Sequence, residues 1–408
     1  MGKFISTTYK TNLNAVTDFN KSLLQNDFYQ FNSQGRGTKV TYYNINLNKS
    51  TLDQGSRLAY SDLGEQSPLR FNKINELLIF QFNRAELNFN NDEFGLESSE
   101  ISGESYILPN TIEPTDNDFF TVDHADGKWL FKVRDVDRDT LNNGSNVYKI
   151  GWILDRVSDQ DILNNIVEEY QYIDVVAGTN VKPVVEITRY KLALKVEEIA
   201  DNIRNYFIDL FYSDKIQSFT YKWYTEYNMY DPYAIEFMIR NRLVSTSERY
   251  LCIQHQTVTK RTFGIDYDRS IYAAFEQRDK SDLTHSLFQA QANVIRDPTS
   301  IIATRYENYF ELDYRVIPGE ANTPFNPRAI IPIMPEELIE RIDTNTKFEE
   351  GDKYDFLNII IKYFNYENIT EKDLFKVNRI DFCPVEQIFY MCLFLIFVLD
   401  SYTKILLS

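Results

Sequence analysis

The sequence predicts an α+β protein, and three regions of its pattern carry that prediction. Residues 40–155 contain short runs of alternating apolar and polar side chains, separated by turn signals such as Asn142-Asn143-Gly144. Residues 158–245 instead place apolar side chains at helical spacing. The remaining C-terminal part mixes both patterns. We therefore expect a β-rich N-terminal region, followed by a helical middle and a mixed C-terminal region.

The alternating runs locate the predicted strands. We expect strands over 39–47, 77–89, 105–108, 119–122, 129–136 and 147–154, preceded by a helix over about 12–26. The strands between 105 and 155 follow one another closely, with turn residues between them. They predict a meander or a small barrel.

Helix signals dominate after residue 157. A capping-box-like turn begins at Ser158, and we expect its helix to continue through Ile166 and Val167. An apolar stripe over 192–210 predicts the best-defined helix in the chain. Asp231 and Pro232 supply the N-cap and first position of another helix. Further on, 336–337 begin a short helix, and 353–364 form a helix or a strand.

Length and proline content suggest how the chain divides. At 408 residues we expect two to three domains. We place a β-rich domain with an N-terminal helix at 1–157 and a mainly helical or mixed domain at 158–316. Five prolines over 317–335 predict an extended arm or linker. A small C-terminal region with an apolar tail follows at 336–408.

Charge and cysteine content exclude several classes of protein. The formal net charge is −17, which argues against a nucleic-acid-binding surface over most of the protein. The three cysteines are widely spaced and predict reduced thiols rather than a disulfide framework. The N-terminus lacks the apolar segment of a secretory signal. The abundance of Tyr, Phe, Asn and Ile is typical of an AT-rich genome.

Two constellations resemble metal sites but are incomplete. Cys252 and His255 have a suitable spacing, yet no second pair of ligands accompanies them. Asp135, Asp137 and Asp139 resemble the start of a calcium loop, but the glycine and glutamate that such a loop requires further on are missing. We therefore predict no metal site.

Catalytic signatures are also missing from the sequence. The run 35–39, Gly-Arg-Gly-Thr-Lys, lacks the spacing of a phosphate-binding loop, and no nucleophile-elbow, zinc-protease or kinase motif occurs. We predict no catalytic residues, no cofactor and no enzymatic activity. A hydrolase that works through carboxylates remains an alternative, because 60 acidic residues can be paired in many ways.

The C-terminal run 388–399 is almost entirely large and apolar. A membrane-spanning helix needs about 20 apolar residues, so we predict no membrane span and expect protein to cover this run. The cover is either its own domain or a neighbouring subunit. Together with the proline-rich arm, the run supplies the candidate interface residues, which are Pro324, Phe325, Pro327, Phe394, Ile396 and Phe397.

Several short sequence segments between residues 40 and 155 resemble segments of virion structural proteins from tailed bacteriophages with AT-rich genomes. They include 40–45 (VTYYNI), 50–55 (STLDQG), 67–74 (SPLRFNKI), 103–112 (GESYILPNTI), 118–122 (DFFTV) and 148–150 (YKI). The resemblance implies a tail, neck or baseplate component of the virion, made in the host cytoplasm. It also implies other virion structural proteins as partners and a homo-oligomeric ring of sixfold-related symmetry.

Two other functions stay open at this point. The chain could serve as a host-surface-binding module of a phage tail, although it lacks the repeats of a trimeric fibre. It could also be an intracellular scaffold protein. A structural virion component is the hypothesis that we carry forward.

Overall fold

A computed structural model describes most of the 408-residue chain. The described residues are 37–50, 69–82, 86–91, 97–108, 111–124, 127–140, 146–156, 160–173, 182–213, 218–223, 227–244, 252–254, 267, 270–281, 283, 295–296, 303–305, 315–317 and 334–408. The chain forms two compact units. The barrel unit comprises Leu13–Lys191 with Leu406–Ser408, and the helical unit comprises Leu192–Ile405 with Met1–Asn12.

The barrel unit is built on a nine-stranded sheet. Its strands are β1 (Thr38–Ile45), β2 (Phe71–Ile79), β3 (Glu86–Asn91), β4 (Glu97–Ile107), β5 (Phe119–His124), β6 (Gly127–Thr140), β7 (Asn146–Arg156), β8 (Ile166–Tyr172) and β9 (Val184–Glu186). They are ordered β3-β4-β7-β6-β5-β1-β2-β8-β9, and all pairs are antiparallel except β2 with β8. The meander predicted within 105–155 is present as β5-β6-β7.

A backbone bridge closes part of this sheet on itself. Just past the end of β2, Phe80 exchanges two backbone hydrogen bonds with Tyr106 of β4, at 2.9 and 3.0 Å. The ring β4-β7-β6-β5-β1-β2 is thereby complete and forms a small six-stranded barrel. Closure removes the free edges of these strands, and only β3, β8 and β9 extend outside the ring.

Inward-facing aromatic side chains fill the barrel. Phe120, Phe131 and Trp152 are almost completely buried, and Phe82 packs against all three at ring-centroid distances of 4.9 to 5.8 Å. The indole Nε1 of Trp152 donates to Ser105 Oγ at 2.8 Å, so its one polar group is satisfied. Alternation along each strand produces this core, because every second residue points inward.

Two details of the barrel unit differ from the sequence-based prediction. The helix that begins after Ser158 is α1 (Gln160–Leu163), and it does not include Ile166 and Val167, which lie in β8. Pairing with β2 therefore overrides a weak helical pattern there. The single strand predicted over 77–89 is two strands, because β2 ends at Ile79 and β3 begins at Glu86.

Seven further helices and several short strands follow among the described residues, mostly in the helical unit. The helices are α2 (Ile187–Phe211), α3 (Pro232–Asn241), α4 (Ile271–Gln277), α5 (Glu336–Thr344), α6 (Asn358–Phe364), α7 (Glu371–Phe375) and α8 (Val385–Leu407), with α2 starting in the barrel unit and α8 ending in it. Two 3-10 helices are Asp355–Leu357 and Val377–Phe382. The strands are β10 (Tyr212–Ser213), β11 (Ser218–Phe219), β12 (Tyr221–Trp223), β13 (Tyr227–Tyr230), β14 (Cys252–Gln254), β15 (Ile295–Arg296), β16 (Ala303–Arg305) and β17 (Arg315–Ile317).

The predicted helices at 192–210, 231 and 336 are present as α2, α3 and α5, and 358–364 is a helix rather than a strand. In α2 the buried face is rotated from the predicted stripe. Ala193 and Ala200 are buried, whereas Leu194 and Leu210 are 47% and 51% exposed. The buried face therefore includes two alanines, which the stripe of large apolar residues did not mark. The α+β class and its order of regions are confirmed.

Helix α8 carries the apolar C-terminal run and forms the centre of the helical unit. Among the described residues, Gln387–Leu407 is the one helix long and apolar enough to cross a membrane, and 67% of its most apolar window is buried within the protein. Core helices of soluble proteins share these properties. Burial on all sides explains why the run is hydrophobic all round.

Some predictions concern residues outside the described ranges. The helix predicted over 12–26 and most of the proline-rich arm, 318–333, lie there. The four-region division of the chain stays a prediction.

Candidate partner-binding surfaces

Strands β3 and β4 form an extension of the barrel. Residues 102–107 of β4 pair with β7, whereas residues 97–102 pair with β3. We call β3 together with residues 97–102 the hairpin arm. At about 3.4 Å per residue the arm is about 20 Å long. It ends the order of the nine-stranded sheet on the β3 side, so the outer edge of β3 has no neighbouring strand among the described residues.

The arm lies in the most acidic part of the chain. Residues 85–127 include eleven Asp or Glu and no Lys or Arg. The pairing register places Glu86 opposite Ser102 and Asn88 opposite Glu100, so Glu86 and Glu100 occupy positions on the same face of the arm. A surface of one charge sign favours partners of the opposite sign.

A buried carboxylate, Asp118, anchors the loop that precedes β5. It accepts hydrogen bonds of 2.8 to 2.9 Å from Tyr42, Asn44, Ile45 and Thr115. Burial nevertheless raises the pKa of Asp118, and it raises the pKa of the Tyr42 hydroxyl well above its usual value. This node joins β1 to the loop 111–118 inside the barrel unit and has a structural role.

Asp231 is the corresponding node of the helical unit. Its side chain caps α3 by accepting from the backbone N–H groups of Tyr233 and Ala234, at 2.9 and 3.1 Å. The hydroxyls of Tyr272 in α4 and Tyr390 in α8 also donate to it, at 2.6 and 3.2 Å. Burial raises the pKa of Asp231 to about 6. One carboxylate thus connects three helices.

Three helix C-termini meet at a cationic surface of the helical unit. Arg278 follows α4 and Asn345 follows α5, both in the left-handed conformation at φ 55° and 56°. Asn365 ends α6. Lys280 Nζ donates to Asn345 Oδ1 at 2.6 Å and also to Asn365 Oδ1. Cations are favoured here because helix C-termini carry partial negative charge.

Arg278 lies between two tyrosine rings at this surface. Its guanidinium is 4.1 Å from the centroid of Tyr363 and 3.8 Å from that of Tyr366, and its Nε donates to the Tyr363 carbonyl. Partial burial lowers its pKa. Within the described residues its Nη1 and Nη2 atoms have no hydrogen-bond partner. We call Arg278, Lys280, Asn345, Asn365 and Tyr366 the helix-terminus patch.

Tyr366 is unusual in both conformation and exposure. Its φ is 59°, a left-handed conformation that bulky side chains rarely adopt. Its side chain is 75% exposed, although it is a large aromatic group. The conformation ends α6, because it lets the backbone N–H of Glu367 donate to the Lys362 carbonyl at 2.9 Å. Tyr and Arg are enriched in binding hot spots, so the exposed ring beside Arg278 is a candidate contact.

The predicted interface residues divide into two groups. Phe394, Ile396 and Phe397 lie in α8, where the first two are completely buried and the third is 8% exposed. Phe394 stacks on Phe275 at a centroid distance of 4.0 Å. Their cover comes from the chain itself in this structure, and a role at a subunit interface stays a prediction. Pro324, Phe325 and Pro327 lie outside the described residues.

The structure also locates the residues considered for metal binding. Cys252 lies in β14, and His255 is outside the described residues. Asp135, Asp137 and Asp139 occupy alternate positions of β6, where Asp135 packs over Gly151; a Cβ at Gly151 would lie 2.4 Å from its Oδ1. No group of three His, Cys, Asp or Glu that could hold a metal ion occurs among the described residues.

The helix-terminus patch could not be found by sequence reasoning. Arg278 and Tyr366 are 88 positions apart, and neither belongs to a recognisable motif. The acidic run 85–127, by contrast, is readable in the sequence from its lack of Lys and Arg.

Comparison with known proteins identifies a related family for the barrel unit. Residues 14–186 match the model of a family described as "Putative phage head-tail joining protein". The matched segment is nearly the same as Leu13–Lys191, the main part of the barrel unit. The family model therefore corresponds to one compact unit of the structure. No curated protein and no solved structure matches the chain.

This similarity supports a structural component of a phage virion, found in the neck or tail region. The matched family is a structural one, and it implies contact with other virion proteins. The resemblance of residues 40–155 to phage virion proteins lies within the matched segment and is supported at this level.

Proposed function

We propose that this chain joins the head and the tail of a phage particle, as a structural protein that contacts other virion proteins on both sides. The observation that carries the proposal is the match of residues 14–186 to the head-tail joining family, which covers most of the barrel unit. The net charge of −17 keeps the free chain soluble until it meets its partners.

The architecture is suited to this role. A closed barrel provides a rigid body whose inner strands have no free edge, and the hairpin arm extends from it as a contact element. The helical unit, outside the matched segment, adds a second folded body with its own core. We propose that copies form a ring of sixfold-related symmetry at the junction, since a head-to-tail interface between copies generates a ring when its rotation closes.

The proposal is tested in the phage itself. A stop codon that truncates the chain before β1 is expected to give filled heads and free tails in negative-stain micrographs, with joined particles restored when the full chain is supplied in trans. Joined particles of normal appearance in the absence of the chain would contradict the proposal. Joined particles that no longer adsorb to host cells would favour a host-surface-binding module instead.

Copy number and position form the second part of the test. A particle reconstruction without imposed symmetry is expected to show the barrel unit in a ring between head and tail. Density for the barrel at the baseplate, or inside an intracellular precursor only, would assign the chain to another structural role.

A further inference from the structure

We propose that the hairpin arm of one copy binds the helix-terminus patch of a second copy, through carboxylates of the arm and the guanidinium of Arg278. The contact rests on the proposed function only in that it requires copies of the chain to associate. It joins two different surfaces, so it is heterologous and extends around a ring rather than closing as a two-fold dimer.

The guanidinium of Arg278 has hydrogen-bond donors without a partner among the described residues. Nε of Arg278 is occupied by the Tyr363 carbonyl, but Nη1 and Nη2 have no hydrogen-bond partner among the described residues. The guanidinium carbon of Arg278 lies 4.1 Å from the ring centroid of Tyr363 and 3.8 Å from that of Tyr366. These two rings fix the orientation of the guanidinium and therefore the direction of its Nη1 and Nη2 donors. A guanidinium edge binds a carboxylate with two parallel hydrogen bonds.

Among the described residues, two acidic groups lie beside the patch, and only one of them is paired with a cation. Asp279 accepts hydrogen bonds from the backbone and hydroxyl of Ser281, and Glu367 pairs with Lys347. Lys280 adds a second positive charge whose ammonium is fixed by two asparagine side chains. Asp279 keeps its negative charge, because the hydrogen bonds from Ser281 lower its pKa. Against this one carboxylate, Arg278 and Lys280 leave one positive charge in excess, which favours an anionic partner.

The hairpin arm of another copy of the chain can serve as this anionic partner. It lies within 43 residues, 85–127, that contain eleven acidic and no basic side chains. Glu86 and Glu100 occupy one face of the arm, and no Lys or Arg in the arm compensates their charge. Like charges on one face repel each other, so binding to cations lowers the free energy of the arm.

The exposed aromatic ring explains why the contact would be more than an ion pair. Surface ion pairs contribute little by themselves, typically about 0 to 1 kcal/mol. Tyr366 is 75% exposed next to the guanidinium, and an arm that covers it would remove the ion pair from water and bury the ring.

The test uses two variants of the full chain that damage opposite sides of the contact. The patch variant is Arg278→Gln, and the arm variant combines Glu86→Lys with Glu100→Lys. Wild-type protein is expected to associate in sedimentation-velocity runs over a concentration series, and each variant alone should associate at least tenfold more weakly. An equimolar mixture should form one-to-one pairs that do not grow, because each pair has one intact patch and one intact arm.

Controls separate this contact from general charge effects and from misfolding. Arg138→Gln removes another exposed arginine, in β6, and should leave association unchanged. If Arg278→Gln does not fold by circular dichroism, Tyr366→Asn replaces it as the patch variant. The contact is refuted if wild type stays monomeric throughout, if the variants associate normally, or if the mixture forms no pairs. None of these results bears on whether the chain sits at the head-tail junction, which the particle images decide.

Discussion

The two units of this protein reach a buried core by different means. The barrel unit alternates inward and outward residues along strands and gathers an aromatic cluster around Trp152. The helical unit surrounds one helix, α8, in which every residue from Phe389 to Ile396 is completely buried. The first core is therefore distributed over many short segments, whereas the second depends on one long segment.

The two units also differ in the hydrogen-bond partners of their buried aspartates, Asp118 and Asp231. Asp118 accepts from the backbone and polar side chains of one neighbourhood in the barrel unit. Asp231 instead accepts from residues of three helices, α3, α4 and α8. Buried charge costs free energy in both cases, and both carboxylates connect segments far apart in the chain. Asp118 links one strand to one loop, whereas Asp231 links three helices.

The largest effect is expected when the central helix receives a charge. Ile396→Asp removes a completely buried side chain and places a carboxylate without partners in the core of the helical unit. We expect a loss of roughly 5 kcal/mol or more, seen as aggregation or loss of the helical signal in circular dichroism. Ile405→Asp, at a 45% exposed site of the same helix, is the matched control. A soluble, folded Ile396→Asp monomer that fails to assemble would place the interface on α8.

A truncation in the aromatic cluster tests the distributed core. Trp152→Ala should destabilise the barrel unit by roughly 3–5 kcal/mol, through lost burial and a cavity between Phe82, Phe120 and Phe131. Trp152→Phe keeps most of the volume and leaves Ser105 Oγ without its donor, so about 1–2 kcal/mol is expected. Chemical denaturation measures both. Equal losses for the two variants would mean that the hydrogen bond, not the ring, matters.

The pH dependence of stability should identify the Asp231 node. Its pKa in the folded protein, about 6, is above the ordinary 3.8, so the folded state binds the extra proton more tightly. The contribution of this group is complete below pH 4 and is lost as pH rises through 6, by about 3 kcal/mol at most. Asp231→Asn keeps the cap and removes the titration. The stability of wild type relative to the variant should fall between pH 4 and 6, and a constant difference would contradict the assignment.

The smallest effect on stability is expected at the helix-terminus patch. Tyr366→Asn gives up the stacking on Arg278, about 0.5–1 kcal/mol, but Asn tolerates the left-handed conformation better than Tyr does. The two effects oppose each other, so the thermal midpoint should change little. A loss above about 2 kcal/mol would show that Tyr366 serves the fold rather than a contact.

The sequence by itself determined the α+β class, the order of regions and most individual elements. Alternation located β1, β5, β6 and β7, and the Asp231-Pro232 pair located the start of α3. These signals are local, because strand period, helix period and capping chemistry act over a few neighbouring residues. The phage resemblance was also local in origin, and it fell in the segment that matches a phage family.

Only the tertiary structure decided which elements meet. The Phe80–Tyr106 bridge closes the barrel, and β8 forms in place of a helix because it pairs with β2. The cover of α8 and the meeting of three helix ends at Arg278 likewise join residues far apart in the chain. Such contacts follow from packing free energy summed over the whole unit, and no short window of sequence contains that information.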